Sequence, residues 1–167
     1  MPLVKKTAIG LGIALLTMAY LIFGATEGKR YFQVKETTIE SKDVPQGFDG
    51  YRIVQLSDMH VGSWNGNTQA MEKAVSIIND LQPDLIVFTG DLVNNLASEL
   101  DNFIPVFSKL KAKDGVYSVL GNHDYSTYIH WENPEDQKEE LVRLKQKQAE
   151  MGWTMLNNRH VKLYNQN

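Results

Sequence analysis

Three short polar clusters in this chain carry side chains fit to bind a metal ion: Ser57-Asp58-Met59-His60, Thr89-Gly90-Asp91 and Gly121-Asn122-His123-Asp124. Asp, His and Asn offer the oxygen and nitrogen donors that divalent cations take. Asp58 and His60 stand two residues apart, so on extended backbone both side chains point to one side and can meet a single cation. Gly90 and Gly121 directly precede Asp91 and Asn122, which suits a sharp exit from a strand where backbone must approach a ligand closely. Taken singly, an Asp or Asn after a strand is a turn residue or a helix N-cap, and His60 is a surface histidine. Taken together, at the ends of three successive strands, these residues read as a metal site. His130 and His160 lie in no such setting and read as surface residues. Trp64, Tyr125 and Tyr128 could wall a pocket or serve as loop and packing residues, and Asn94-Asn95 reads as polar loop.

The elements that must position these clusters follow from the apolar pattern. Apolar runs at Arg52–Leu56, Leu85–Phe88 and Val116–Leu120 alternate with helical periodicity, which predicts a parallel, layered α/β sheet. The carboxyl ends of such strands converge on one crevice, where ligands bind. A helix is predicted over Thr68–Leu81 from Met71, Ala74, Val75, Ile78 and Leu81, with Pro83 enforcing its end. A second is predicted between Ala97 and Lys111, where Pro105 marks either a kink or a later start. A third starts at Asn133-Pro134 and runs to Met151, with Gly152 closing it. Its charge, including the Glu139/Arg143 pair four apart, reads as a solvated face. Strands are also expected at Tyr31–Glu40, Trp153–Leu156 and His160–Tyr164, and a turn over Pro45–Gly50.

Composition narrows the function. The 167 residues hold 43% hydrophobic and 22% charged residues, the balance of a globular chain with one domain, or one domain and an anchor. Seventeen Lys and Arg against twenty Asp and Glu give a net charge of -3, with no basic surplus for general nucleic-acid binding. There is no cysteine, so disulfides, thiolate metal sites and Cys nucleophiles are excluded. Thr7–Thr26 is twenty residues without a charge, preceded by Lys5 and Lys6 and followed by Glu27, Lys29 and Arg30. That length predicts a transmembrane anchor over 7–26, with a signal cleaved near Gly24-Ala25-Thr26 as the alternative. The two N-terminal lysines would keep the short tail in the cytoplasm and place the rest on the extracytoplasmic side. The expected division is an anchor or signal over 1–30 and a catalytic domain over 31–167.

The three clusters, read as D-x-H, G-D and G-N-H-D, resemble the blocks of the calcineurin-like metallophosphoesterases. The stretches Pro45–His60 and Pro83–Val93 are most similar to the bacterial membrane-associated or exported branch related to phosphodiesterases and lipid-precursor pyrophosphatases. The resemblance covers about Lys35 to Tyr164. It implies an α/β-β/α sandwich with a dinuclear metal centre: Asp58 and His60 on the first ion, Asp91 bridging, and Asn122 on the second. It further implies that His123 binds phosphate oxygens or protonates the leaving group, with Asp124 orienting its imidazole. The expected cofactors are two divalent ions, Mn, Fe or Zn, and the expected nucleophile is a metal-bound hydroxide. The expected substrate is a phosphoester, including a lipid-linked or nucleotide-type pyrophosphate.

The family's two later histidine blocks, the second of the form G-H-x-H, have no counterpart after Asp124. The chain therefore reads as the N-terminal portion of a longer enzyme, carrying the first half of the sandwich. The alternative is a catalytically incomplete, membrane-tethered metal-binding or interaction module.

Overall fold

The computed structural model describes residues 2–26 and 31–164, with side chains described over 8–24 and 31–164. Two compact units, Met1–Ile39 and Glu40–Asn167, divide the chain. The first is a helix, α1 (Pro2–Thr26), followed by residues 31–39 without regular structure. Its apolar side chains are open to solvent, with Ile9, Leu16, Tyr20 and Phe23 all more than half exposed. The bilayer span predicted over 7–26 is not supported: among the described residues, no helix is long and apolar enough to cross a membrane. The flanking Lys5, Lys6, Glu27, Lys29 and Arg30, and the Ala25-Thr26 end of the cleavage pattern, lie outside the described side chains.

The second unit is built on four parallel strands, β1 (Ile53–Leu56), β2 (Leu85–Phe88), β3 (Val116–Ser118) and β4 (Thr154–Met155), in the spatial order β1-β2-β3-β4. Ile53 pairs with Leu85, Ile86 with Val116 and Tyr117 with Thr154, so each strand lies beside its sequence neighbour. Parallel neighbours need a crossover, and helices supply it. Between β1 and β2 runs α2 (Gln69–Asp80), which buries Met71, Ala74, Val75 and Ile78 along one stripe. Those positions recur at steps of three and four, as the periodicity predicts. Between β3 and β4 runs α4 (Pro134–Glu150), opened by the Asn133 side chain accepting the Glu135 amide at 3.1 Å. Gly152 follows it with φ +81°, the left-handed exit that glycine adopts without strain.

The stretch 97–111 is not one helix. It is a 3-10 turn at Ala97–Leu100, then a short helix α3 (Ile104–Phe107) with Pro105 in its first turn. Proline lacks the amide an interior helical position must donate, so the helix starts late instead of running through it. Two predicted strands are absent from the described residues: Tyr31–Glu40 and His160–Tyr164 have no strand structure. Alternation alone does not make a strand without a partner edge to satisfy its backbone.

Phe88 on β2 is buried against Trp153 (ring centroids 5.3 Å apart), which in turn meets Phe107 at 5.8 Å. Each such ring removed from water contributes about 1.5–3 kcal/mol. This cluster fixes α3 and the β4 segment around the centre of the sheet and leaves the carboxyl ends of β1–β3 to carry polar loops.

Candidate metal centre

Beyond Leu56 and Phe88 the strands give way to loops, yet backbone pairing continues. Asp58 donates to the Gly90 carbonyl at 3.0 Å, His60 to that of Asp91 at 3.1 Å and Val61 to that of Leu92 at 3.0 Å. The first two polar clusters are therefore held side by side by an extension of the sheet ladder. Asp58, His60 and Asp91 sit at φ +56°, +40° and +61°. Left-handed backbone costs a non-glycine residue on the order of 1 kcal/mol, and such strain concentrates where function requires it.

The third cluster comes in edge-on through the two glycines. A Cβ on Gly90 would lie 2.4 Å from the Gly121 nitrogen, and one on Gly121 would lie 2.3 Å from Asp91 Oδ1. Only bare backbone allows this approach. It lets the His123 amide donate to Asp91 Oδ1 at 2.9 Å.

The consequence is convergence. His60, Asp91 and His123 each offer a ligand atom, and these atoms lie within 4.8 Å of one another. Donors that share one divalent ion lie at most about 4.4 Å apart, so a small closing of these side chains would let them hold one, and the donor set of imidazoles and carboxylate suits Mn, Fe or Zn. The rings of His60 and His123 meet edge to face, centroids 4.6 Å apart. Asp58 flanks this trio, with Oδ1 3.9 Å from His60 Nε2 and its other oxygen accepting the Ser57 hydroxyl. Asn122 directs its amide nitrogen to the Tyr128 hydroxyl at 2.7 Å. His130 and His160 are exposed and stand outside the group.

His123 Nδ1 lies 2.8 Å from the Asn94 carbonyl. A carbonyl only accepts, so Nδ1 carries the proton and Nε2 is the nitrogen left for chemistry. This differs from the expected arrangement, in which Asp124 orients the imidazole. The Asp124 carboxylate is fully buried and taken up by four backbone amides: Asp91 at 2.9 Å, Gly121 at 2.9 Å, Leu92 at 2.8 Å and Val93 at 3.3 Å. Burial pushes its carboxyl above the usual range, and the four amide bonds pull the other way. Asp124 and His123, neighbours in the 3-10 turn at His123–Tyr125, thus have different partners: the carboxylate takes backbone amides and the imidazole takes the Asn94 carbonyl.

Two contributors escaped sequence reasoning. Asn94 acts through its backbone carbonyl, which any residue possesses, so no residue type could announce it. Glu99 accepts the amides of Asn94 at 2.6 Å and of Asn95 and Leu96 at 3.1 Å, and so sets the loop that carries that carbonyl. Its only sequence signal is an acidic residue a few positions after a polar loop.

Comparison with known proteins agrees with this geometry. The family model for calcineurin-like phosphoesterase matches residues 51–164. An uncharacterized metallophosphoesterase YkuE of Bacillus subtilis is 39% identical over 98 residues, 58% of this chain and 34% of that protein. A transmembrane protein with metallophosphoesterase domain from Danio rerio is 30% identical over 123 residues, 74% of this chain and 27% of that protein. The UDP-2,3-diacylglucosamine pyrophosphatase LpxG of Chlamydia muridarum is 40% identical over 82 residues, 48% of this chain and 24% of that protein. The chain thus spans about a quarter to a third of the length of these relatives. No solved structure matches it.

Proposed function

Because the chain belongs to the calcineurin-like phosphoesterase family, we propose that it carries the first part of a metal-dependent phosphoester hydrolase with its centre at the carboxyl ends of β1, β2 and β3. The observation that carries this reading is the convergence of His60, Asp91 and His123, whose nearest donor atoms lie within 4.8 Å of one another, so that the His123 imidazole stands beside two of the side chains that would hold metal. In this reading Asp58, His60 and Asp91 hold one ion, and Asp91 and Asn122 share in holding a second. Divalent ions so held would acidify a water and neutralise charge on the phosphoryl oxygens. His123, its Nδ1 proton held on the Asn94 carbonyl, would act as the doubly protonated imidazolium, giving its Nε2 proton to the departing oxygen and keeping the Nδ1 one, work in which an imidazole contributes about 10²–10⁴-fold. Asp124 keeps the Asp91 and Gly121 amides in place and takes no part in the proton transfer.

The substrate class is a phosphodiester or pyrophosphate. The chlamydial relative, named a UDP-2,3-diacylglucosamine pyrophosphatase, favours the pyrophosphate side of that class. The exposed apolar side chains of α1, and relatives named as transmembrane proteins, favour a setting at a membrane; the extracytoplasmic side for the site rests only on Lys5 and Lys6, which precede the apolar stretch.

The test uses the full chain with Mn²⁺, bis(4-nitrophenyl) phosphate and a nucleotide diphosphate sugar, beside Asp91→Ala. Metal binding and turnover that both vanish in the variant support the reading. Metal bound by the parent without turnover points to a binding module instead. A folded parent that binds no metal defeats both.

A further inference from the structure

We propose that Tyr128 is a positioning residue of this centre, its hydroxyl orienting the Asn122 carboxamide and its ring fixing the plane of the His123 imidazole. The inference rests on the reading above only in treating Asn122 and His123 as working groups. Tyr128 lies outside every motif of the chain, on the segment that leaves the 3-10 turn at His123–Tyr125. Its side chain nevertheless touches both.

The first contact is polar. Asn122 Nδ2 donates to the Tyr128 hydroxyl at 2.7 Å. A carboxamide has one acceptor end and one donor end of nearly the same shape, and only the oxygen can ligate a cation or accept from a substrate hydroxyl. Holding the nitrogen fixes which end is presented. Without the phenol the group can turn by half a rotation and offer an NH₂, which repels a cation.

The second contact is through the rings. Tyr128 and His123 are stacked with centroids 4.4 Å apart and planes inclined by 24°. The Asn94 carbonyl holds one edge of the imidazole, and that bond alone leaves the ring free to swing about it. A stacked partner removes that freedom. His60, edge-on at 4.6 Å, completes the enclosure. Tyr128 itself is 60% exposed, so a buried packing role does not account for its placement.

The experiment uses the full chain and three substitutions, Tyr128→Phe, Tyr128→Leu and Asn122→Ala. Mn²⁺ affinity is read from the electron paramagnetic resonance of the free ion. Tyr128→Phe, which keeps the ring and loses the hydroxyl, is expected to weaken Mn²⁺ binding by about fivefold, the effect of one hydrogen bond. In the Asn122→Ala background the same change should do nothing further, because the group it orients is gone. A Tyr128→Phe chain that binds like the parent, or losses that simply add in the double variant, would overturn the proposal.

A second readout needs no metal. In the metal-free chain, Tyr128→Leu should move the His123 ring-proton resonances downfield by removing the ring current, while Tyr128→Phe leaves them in place and shifts only the Asn122 side-chain amide. Unmoved resonances would overturn the proposal on their own. A parent chain that binds no Mn²⁺ but shows both shifts would defeat the hydrolase reading and leave the positioning contacts standing.

Discussion

Asp124 Oδ2 accepts the Asp91 amide at 2.9 Å, and the same atom accepts the Gly121 amide at 2.9 Å. One buried oxygen therefore ties the loop after β2 to the loop after β3. Its partner oxygen takes the amides of Leu92 and Val93. These bonds hold Asp91 in its left-handed backbone, so the carboxylate acts on the metal centre through main chain alone.

Asp124→Asn keeps the volume but turns an NH₂ toward one pair of these amide donors. Removing acceptors from buried donors costs about 2–4 kcal/mol here. Urea unfolding should show that loss, and Mn²⁺ affinity should fall with it. A variant within about 0.5 kcal/mol of the parent, the range of an ordinary surface substitution, would show that the clamp carries no weight.

Gly121→Ala places a methyl group 2.3 Å from Asp91 Oδ1 and 2.5 Å from the Asp91 nitrogen. Since the second of these is backbone, the loop itself must shift. The expected outcome is a destabilisation of about 1–3 kcal/mol together with loss of metal binding. Calorimetric melting and metal titration on the same sample check both; metal affinity equal to the parent's would contradict the close approach of the two loops.

Metal should stabilise the fold through the same residues. A ligand bound only by the folded state at about one hundred times its Kd adds about 2.7 kcal/mol. Mn²⁺ is expected to raise the melting temperature of the parent chain, EDTA to reverse the rise, and Asp91→Ala or His60→Ala to abolish it. An equal rise in the Asp91→Ala chain would mean that the ion binds elsewhere.

At the opposite end of the sheet the Tyr51 hydroxyl donates to Asp114 Oδ2. Burial, that hydrogen bond and the nearby Asp114 and Asp84 charges raise the phenol well above its ordinary value. A group raised on folding contributes stability that is complete below its unfolded value, about 10, and is lost as pH climbs toward its folded one. Stability should therefore fall with rising pH above about 10, and less steeply in Tyr51→Phe. Ultraviolet titration at high pH should find one phenol ionising after the exposed tyrosines; its absence, or identical alkaline profiles for both proteins, would discard the assignment.

Much of this arrangement is legible without coordinates. The runs ending at Leu56 and Phe88 and the one beginning at Val116 are apolar enough to be buried strands, and the spacing of Met71, Ala74, Val75 and Ile78 permits only a helix. Polar residues placed directly after such strands must gather at one edge of a parallel sheet. Other features were beyond reach. Pro105 left two options, and packing of Phe107 against Trp153 goes with the later start. Tyr31–Glu40 alternates like a strand, but pairing depends on a neighbour and not on the segment itself.

The chain's own residue types determined which atoms could bind a metal, because donor chemistry belongs to the side chain and is present before folding. Tertiary structure decided what each of them touches. Asp124 faces four backbone amides and not the imidazole beside it, Asn94 serves through a carbonyl common to all residues, and Tyr128 reaches back to Asn122 and His123 from outside any motif. Backbone hydrogen bonds and ring contacts of this kind are set by the turns that bring distant segments together, and spacing along the chain does not encode them.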